Sequence, residues 1–261
     1  MSDLVTIEER GHVLAIGIDR QERRNAWNIE VIQAVARAYT DLAESETLRV
    51  GVVFGHGEDF TTGLDLAEVA PEIAARPEAA TLLPPELCDP WDFVGTPCPK
   101  PIVLAVQGRC FTLGIELALA SQVVVAASNT VFAQLEVARG IVPLGGGNFR
   151  LGSRLGARGT RWLLTGEKFG AEEALDAGLV SEVVPPGREL ERAFELAELI
   201  SGHAPLAVQS ALAGQRDAER SARDAAAARV RDEMPTLLRT QDAVEGIKAM
   251  VERRAPQFTG R

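Results

Sequence analysis

Two short runs, VGVVFG at Val50–Gly55 and IVLAV at Ile102–Val106, are apolar at nearly every position. A strand with one face in water alternates apolar and polar residues. A run without that alternation suits a strand covered on both faces, as in a parallel sheet flanked by helices. The segments around these runs agree. Residues 12–19 (HVLAIGID) read as a strand, with LVTIEE before them as a hairpin partner. Ile32, Val35, Ala36, Tyr39, Leu42 and Ala43 recur at helical spacing, and Asn28 stands where that helix needs a cap. Residues 123–126, 131–133 and 180–184 are further short strand candidates. The order strand, helix, strand, loop, strand, helix, strand predicts an α/β fold with a largely parallel sheet. Residues 68–99 are broken by prolines and read as short helices and loops. The stretch from Gly145 onward reads as a glycine-rich helix start followed by several helices. ARDAAAARVR (222–231) is a strong helix former. The expected division is a core of residues 1–204 and a helical region of 205–261.

The bulk numbers narrow the function classes. The 261 residues carry a net charge of −10, which argues against general nucleic-acid binding, since that needs a basic face to displace counterions. Cys88, Cys98 and Cys110 have neither CxxC nor metal-ligand spacing, and His12, His56 and His203 are scattered, so no metal site is expected. The segment MSDLVTIEERGHVLAI lacks the pattern of a secretory signal, and no apolar run reaches the ~18 residues of a membrane span. The expected location is the cytoplasm, with reduced thiols. There is no phosphate-binding G-x-x-x-x-G-K-[ST]. GGGN does not complete G-x-G-x-x-G, because Arg150 stands at the last glycine, and Gly152-Ser153 does not fit G-x-S-x-G.

What remains is two glutamates and two turns. Glu116 lies in TLGIELALA. If that segment is helical, its carboxyl is either desolvated with a raised pKa or reaches water at the helix end, and the residue pattern leaves both readings open. Glu136, in FAQLEVARGIVPLGGG (132–147), fits an exposed loop acid better than a buried one on pattern alone. The turns FTTGLD (60–65) and FTLGIE (111–116) each follow a strand and put a glycine beside backbone N–H groups. Two N–H groups aimed at one point would form an oxyanion hole, although each turn taken singly is an ordinary strand-to-helix connection.

Five ordered segments resemble the crotonase superfamily, the enoyl-CoA hydratase/isomerase family, over essentially the whole chain. RRNAWN (23–28) resembles N-A-L-[ND], and DFTTGLDLAE (59–68) resembles F-x-A-G-x-D-[LI]. VQGRCFTLGIELALASQ (106–122) is similar to N-G-x-x-x-G-G-G-x-E-L-A-x-x-x-D. FAQLEVARGIVPLGGG is similar to F-x-x-P-E-x-x-x-G-[IL]-x-P-x-x-G-G. LLTGEKFGAEEALDAGLVSEVVP (163–185) matches L-T-G-x-x-[IF]-x-A-x-E-A-x-x-x-G-L-V-x-x-V.

The resemblance implies a spiral of ββα units with a helical C-terminal region for trimerisation, a homotrimer or dimer of trimers, and an acyl-CoA thioester as substrate. No separate cofactor is implied, since coenzyme A belongs to the substrate, and neither nucleic acid nor membrane is an expected partner. It places the oxyanion donors at the N–H groups of Leu64 and Leu113. It gives water activation to Glu116 and proton transfer at Cα to Glu136. It puts Thr62, Gly63, Asp65 and Gly114 in the substrate-binding loops, Arg24 and Ala26 on the CoA cleft, and Arg254 and Phe258 at that cleft from a neighbouring subunit.

The chain departs from the family pattern at Thr112 and Leu113 (usually Gly), Gln122 (usually Asp), Leu135 (usually Pro) and Glu58 (often Lys). The implied activity is hydration of a 2-enoyl-CoA. The alternatives are an isomerase or other acyl-CoA enzyme using Glu136 alone, and a non-catalytic acyl-CoA-binding protein.

Overall fold

The computed structural model describes residues 3–75 and 82–261. Strands β1 (Val5–Arg10) and β2 (Val13–Ile18) form an antiparallel hairpin at one edge of a six-stranded sheet. The sheet continues in parallel through β3 (Val50–Gly55), β4 (Ile102–Val106), β6 (Val123–Ala127) and β9 (Glu182–Val184). The two apolar runs are therefore neighbours in its interior. Val50 and Val52 of β3 pack on one face with Ala193, Phe194 and Ala197 of a later helix. Val53 points to the other face, toward Val31 and Val35.

Helix α1 (Ile29–Glu44) starts where expected. The Asn28 side chain accepts a hydrogen bond from the Val31 N–H at 3.0 Å, satisfying one of the orphan donors of the first turn. Helix α2 (Leu66–Ala75) follows the first special turn. Much of what the prolines suggested beyond it is irregular, and residues 76–81 of that stretch lie outside the described residues.

A second, three-stranded sheet is built from β5 (Arg109–Phe111), β7 (Val131–Ala133) and β8 (Lys168–Gly170). Each strand has three residues, too few for a period to stand out, so only 131–133 is expected from pattern. The segment 180–184 forms a strand only over its last three residues. Leu179 and Val180 instead close against α5 (Ala171–Ala177), both donating to the Ala174 carbonyl.

Helix α3 (Leu113–Ala120) is buried at seven of its eight positions and lies between the two sheets in chain order. Helices α4 (Gly147–Thr165), α6 (Glu189–Ser201), α7 (Pro205–Leu237) and α8 (Gln241–Glu252) complete the chain. Ala227, Val230 and Met234 of α7 pack into the main core. Gln122 fills its position with two bonds: its Oε1 accepts from the Ile102 N–H at 2.9 Å, and its Nε2 donates to the Ala120 carbonyl at 3.0 Å.

Candidate active site

The two turns lie side by side because their backbones pair. Thr61 N–H donates to the Arg109 carbonyl at 2.9 Å, and Phe111 N–H donates to the Thr61 carbonyl at 3.1 Å. Beyond Thr61 the chain pairs on its other side with Trp27, which donates to the Gly63 carbonyl and accepts from the Asp65 N–H. Gly63 N–H is spent on the Thr61 hydroxyl at 3.1 Å. Leu64 N–H lies between these bonds, facing away from Trp27, and has no acceptor among the described residues. Leu113 N–H is likewise unspent. It opens α3, where the first N–H groups have no partner within the helix and the helix end carries partial positive charge.

Thr112 joins the two turns in an unusual conformation. It is β-branched, yet its φ is +52°, and its buried hydroxyl has no hydrogen-bond partner among the described residues. Gly63 has φ +101°, and a Cβ built on it would fall 2.0 Å from the Thr112 hydroxyl, so only glycine fits there. The side chain that replaces a family glycine thus sits directly against the first turn.

Glu116, on the first turn of α3, is 2 % exposed. Its Oε1 accepts from the Gly145 N–H at 2.7 Å and from the Gly147 N–H at 2.8 Å. The consecutive glycines follow from this contact. A Cβ on Gly145 would lie 2.7 Å from the Trp91 ring, and one on Gly147 would lie 3.1 Å from the Glu116 carboxylate. Burial pushes the Glu116 carboxyl up to about 7, against the opposing pull of the two N–H groups and Arg150.

Glu136 is not the solvated loop acid that pattern alone favours. It is 7 % exposed, and its buried Oε2 has no hydrogen-bond partner among the described residues. Burial first, and then the charge of Glu116, push its carboxyl up to about 8. Burial thus favours the neutral form of both carboxyls.

Both glutamates, Leu64 and Leu113 line one cavity of about 600 Å³ with mainly apolar walls. Trp91 and Phe93 line it too and come from the proline-broken stretch of residues 68–99. The Asp89 carboxylate gathers the N–H groups of Trp91, Phe93, Val94 and Gly95. Buried Arg150 donates to the Trp91 and Asp92 carbonyls at 2.7 and 2.6 Å. Asp92 in turn pairs with Arg216 at 3.0 Å and Arg223 at 2.7 Å, both on α7. Sequence reading missed this brace. Its only local trace is the D-P-W-D pattern, whose first Asp suits a side-chain-to-backbone turn.

The remaining expected site residues lie outside the cavity lining. Asp65 pairs with buried Arg20 at 2.9 Å, a bond that fixes the first turn. Thr62 N–H donates to the carbonyl of exposed Arg24, whose φ is +52°, and the Ala26 carbonyl accepts from Arg20. Gly114 follows Leu113 inside α3. Arg254 is bound to Glu245 and Glu252, and Phe258 is half exposed in a tail that the Asp242 carboxylate holds against the start of α8. Among the described residues no helix is long and apolar enough to cross a membrane, and no group of three potential metal ligands occurs.

The fold is that of the crotonase-like α/β spiral. It superposes on a carnitinyl-CoA hydratase from Mycobacterium avium with a TM-score of 0.86, at 33% identity and covering 100% of both chains. A probable enoyl-CoA hydratase/isomerase from Mycobacterium abscessus gives a TM-score of 0.79, at 38% identity and 99% of each chain. The model of the enoyl-CoA hydratase/isomerase family matches residues 8–261, and the chain belongs to that family. Its curated relatives include a 2,3-dehydroadipyl-CoA hydratase of Escherichia coli (strain K12), 35% identical with 100% of each chain covered. A carnitinyl-CoA dehydratase of Salmonella typhi is 34% identical over the same full coverage.

Proposed function

We propose that the protein adds water across the 2,3 double bond of a 2-enoyl-CoA thioester, and catalyses the reverse dehydration. The observation that carries this reading is one cavity holding two buried glutamates in unlike environments beside two unspent backbone N–H groups. The hydratase and dehydratase relatives support the same reaction type.

The thioester oxygen sits between the N–H groups of Leu64 and Leu113, which cost no reorganisation as charge develops on it. Water lies between the two carboxyls. Ionised Glu116, with Oε1 held by Gly145 and Gly147, takes a proton from the water as its oxygen bonds to C3. The C2–C3 π electrons move toward the thioester carbonyl, giving an enolate held by the two N–H groups. Protonated Glu136 then delivers its proton to C2. We assign the starting proton to Glu136, as this direction requires; its burial and the neighbouring charge of Glu116 favour its neutral form. The proton gained by Glu116 must return to Glu136 before the next turnover. Coenzyme A enters as part of the substrate, and the scheme uses no other cofactor.

The same reading carries a homotrimer or dimer of trimers in the cytoplasm. Exposed apolar side chains on the last helices, Leu206 at 78% and Val251 at 69%, support association, and three free buried cysteines suit a reducing compartment.

The test is loss of the conjugated-thioester absorbance of crotonyl-CoA on adding purified protein. Rapid loss, abolished by Glu136→Gln, is expected. No loss with crotonyl-CoA or longer 2-enoyl-CoAs would overturn the proposal.

A further inference from the structure

One charged side chain on the cavity wall has no task in this chemistry. Arg231, on α7, is the only cation among the described lining residues. The other charged residues there are occupied. Glu116 and Glu136 serve the reaction, Asp89 is spent on four backbone N–H groups, and Glu72 is already engaged. Arg231 makes no ion pair or hydrogen bond among the described residues.

Along its own helix no acid stands one turn away. The positions one turn away, where an acid would pair along a helix, are Ala227, Ala228, Met234 and Pro235. Its neighbour Arg229, by contrast, pairs with Glu233 at 2.9 Å. Around Arg231 the wall contributed by α7 is apolar, with Val230, Met234 and Pro235.

We infer that Arg231 reads the far end of the acyl chain, and that the preferred substrates are acyl-CoAs whose acyl group ends in a carboxylate. The inference rests on the proposed seating of the thioester. With its oxygen between Leu64 and Leu113 and C2–C3 between the glutamates, the rest of the acyl group must fill the remaining cavity. An apolar tail satisfies the isoleucine, leucine and valine walls and leaves the guanidinium of Arg231, an exposed residue, to water. A terminal carboxylate meets a planar fork of donors that matches its geometry. With four carboxyl groups among the described lining residues, Arg231 is the one cation there to face a ligand carboxylate.

The experiment compares binding of saturated acyl-CoAs, which cannot be hydrated, in pairs that differ only in a terminal carboxylate: butyryl-CoA with succinyl-CoA, hexanoyl-CoA with adipyl-CoA, and octanoyl-CoA with suberyl-CoA. Calorimetry on the wild type is expected to show tighter binding of the carboxylate form in at least one pair, by about tenfold or more. In Arg231→Met that ratio falls to about one, and Arg231→Lys retains part of it. No preference in the wild type, or a ratio unchanged in Arg231→Met, overturns the inference. So does equal weakening of both members of a pair, which would assign Arg231 to the CoA phosphates. An Arg231-dependent preference in a protein that hydrates no 2-enoyl-CoA would uphold this inference while refuting the proposed reaction.

Discussion

Replacing Glu116 by Gln separates the cost of the active site from its use. The side-chain amide oxygen of the Glu116→Gln variant can accept the same N–H groups of Gly145 and Gly147, so the glycine loop keeps its anchor. The charge and the base are lost. In the wild type the Glu116 carboxyl rises from 4.5 to about 7, mainly through burial. At about 1.36 kcal/mol per unit, the ionised form costs the folded state about 3 kcal/mol.

The sign follows from where the protons reside. Below pH 4.5 Glu116 is protonated in both the folded and the unfolded chain, and nothing is lost. As pH rises toward about 7, the unfolded chain releases this proton while the folded chain still holds it, so stability falls. Above that range the full cost is present. Glu116→Gln is therefore expected to unfold at higher urea concentration than the wild type at about pH 8.5, and at nearly the same concentration at about pH 4. Hydration of crotonyl-CoA is expected to fall by about 100- to 10,000-fold, the usual worth of a positioned general base. Tryptophan fluorescence in urea at both pH values and the absorbance assay give the two readouts. A stability difference independent of pH would refute the desolvation argument, and retained hydration would refute the role of Glu116 as base.

Three further outcomes follow. Thr112→Gly removes a β-branched residue from a conformation that costs about 1–3 kcal/mol, so the melting temperature is expected to rise or hold while kcat for hydration falls as the two turns lose their spacer; a drop in both would show the side chain to be needed for folding. The rate profile for kcat/KM should be bell-shaped. Activity should fall as pH drops below about 7 and Glu116 gains its proton, and fall again as pH rises above about 8 and Glu136 loses its own; a profile flat across that range would remove the acid–base pair. Arg150→Met leaves the Trp91 and Asp92 carbonyls without their donor. About 3 kcal/mol of stability should be lost in urea unfolding, and KM should rise as the Trp91 segment loosens; unchanged stability would show the brace to be redundant.

Much of the frame is legible in the amino-acid sequence, because the signals there report geometry that each element carries by itself. The runs at Val50–Gly55 and Ile102–Val106 are apolar throughout because helices cover both faces of the sheet. Asn28 caps α1 through its own side chain, three residues from its partner. The order of five motifs identifies the family and brings Glu116, Glu136 and the two turns to attention together.

What stays hidden depends on contacts between distant segments. The three-residue strands β5 and β8 have no readable period, and only their pairing with β7 defines them. The residue pattern around Glu136 suits an exposed loop acid. Its burial, and the shift in its carboxyl, exist only once the chain brings Glu116 and Glu136 into one cavity. The brace from Arg150 to Asp92 to α7 spans residues far apart in the chain. Nothing in the local sequence marks Arg231, an arginine in an alanine-rich helix, as part of a cavity wall. Period and capping are properties of single segments and can be read along the chain. Desolvation, unspent donors and unpaired charges depend on what surrounds a group, and only the tertiary structure decides that.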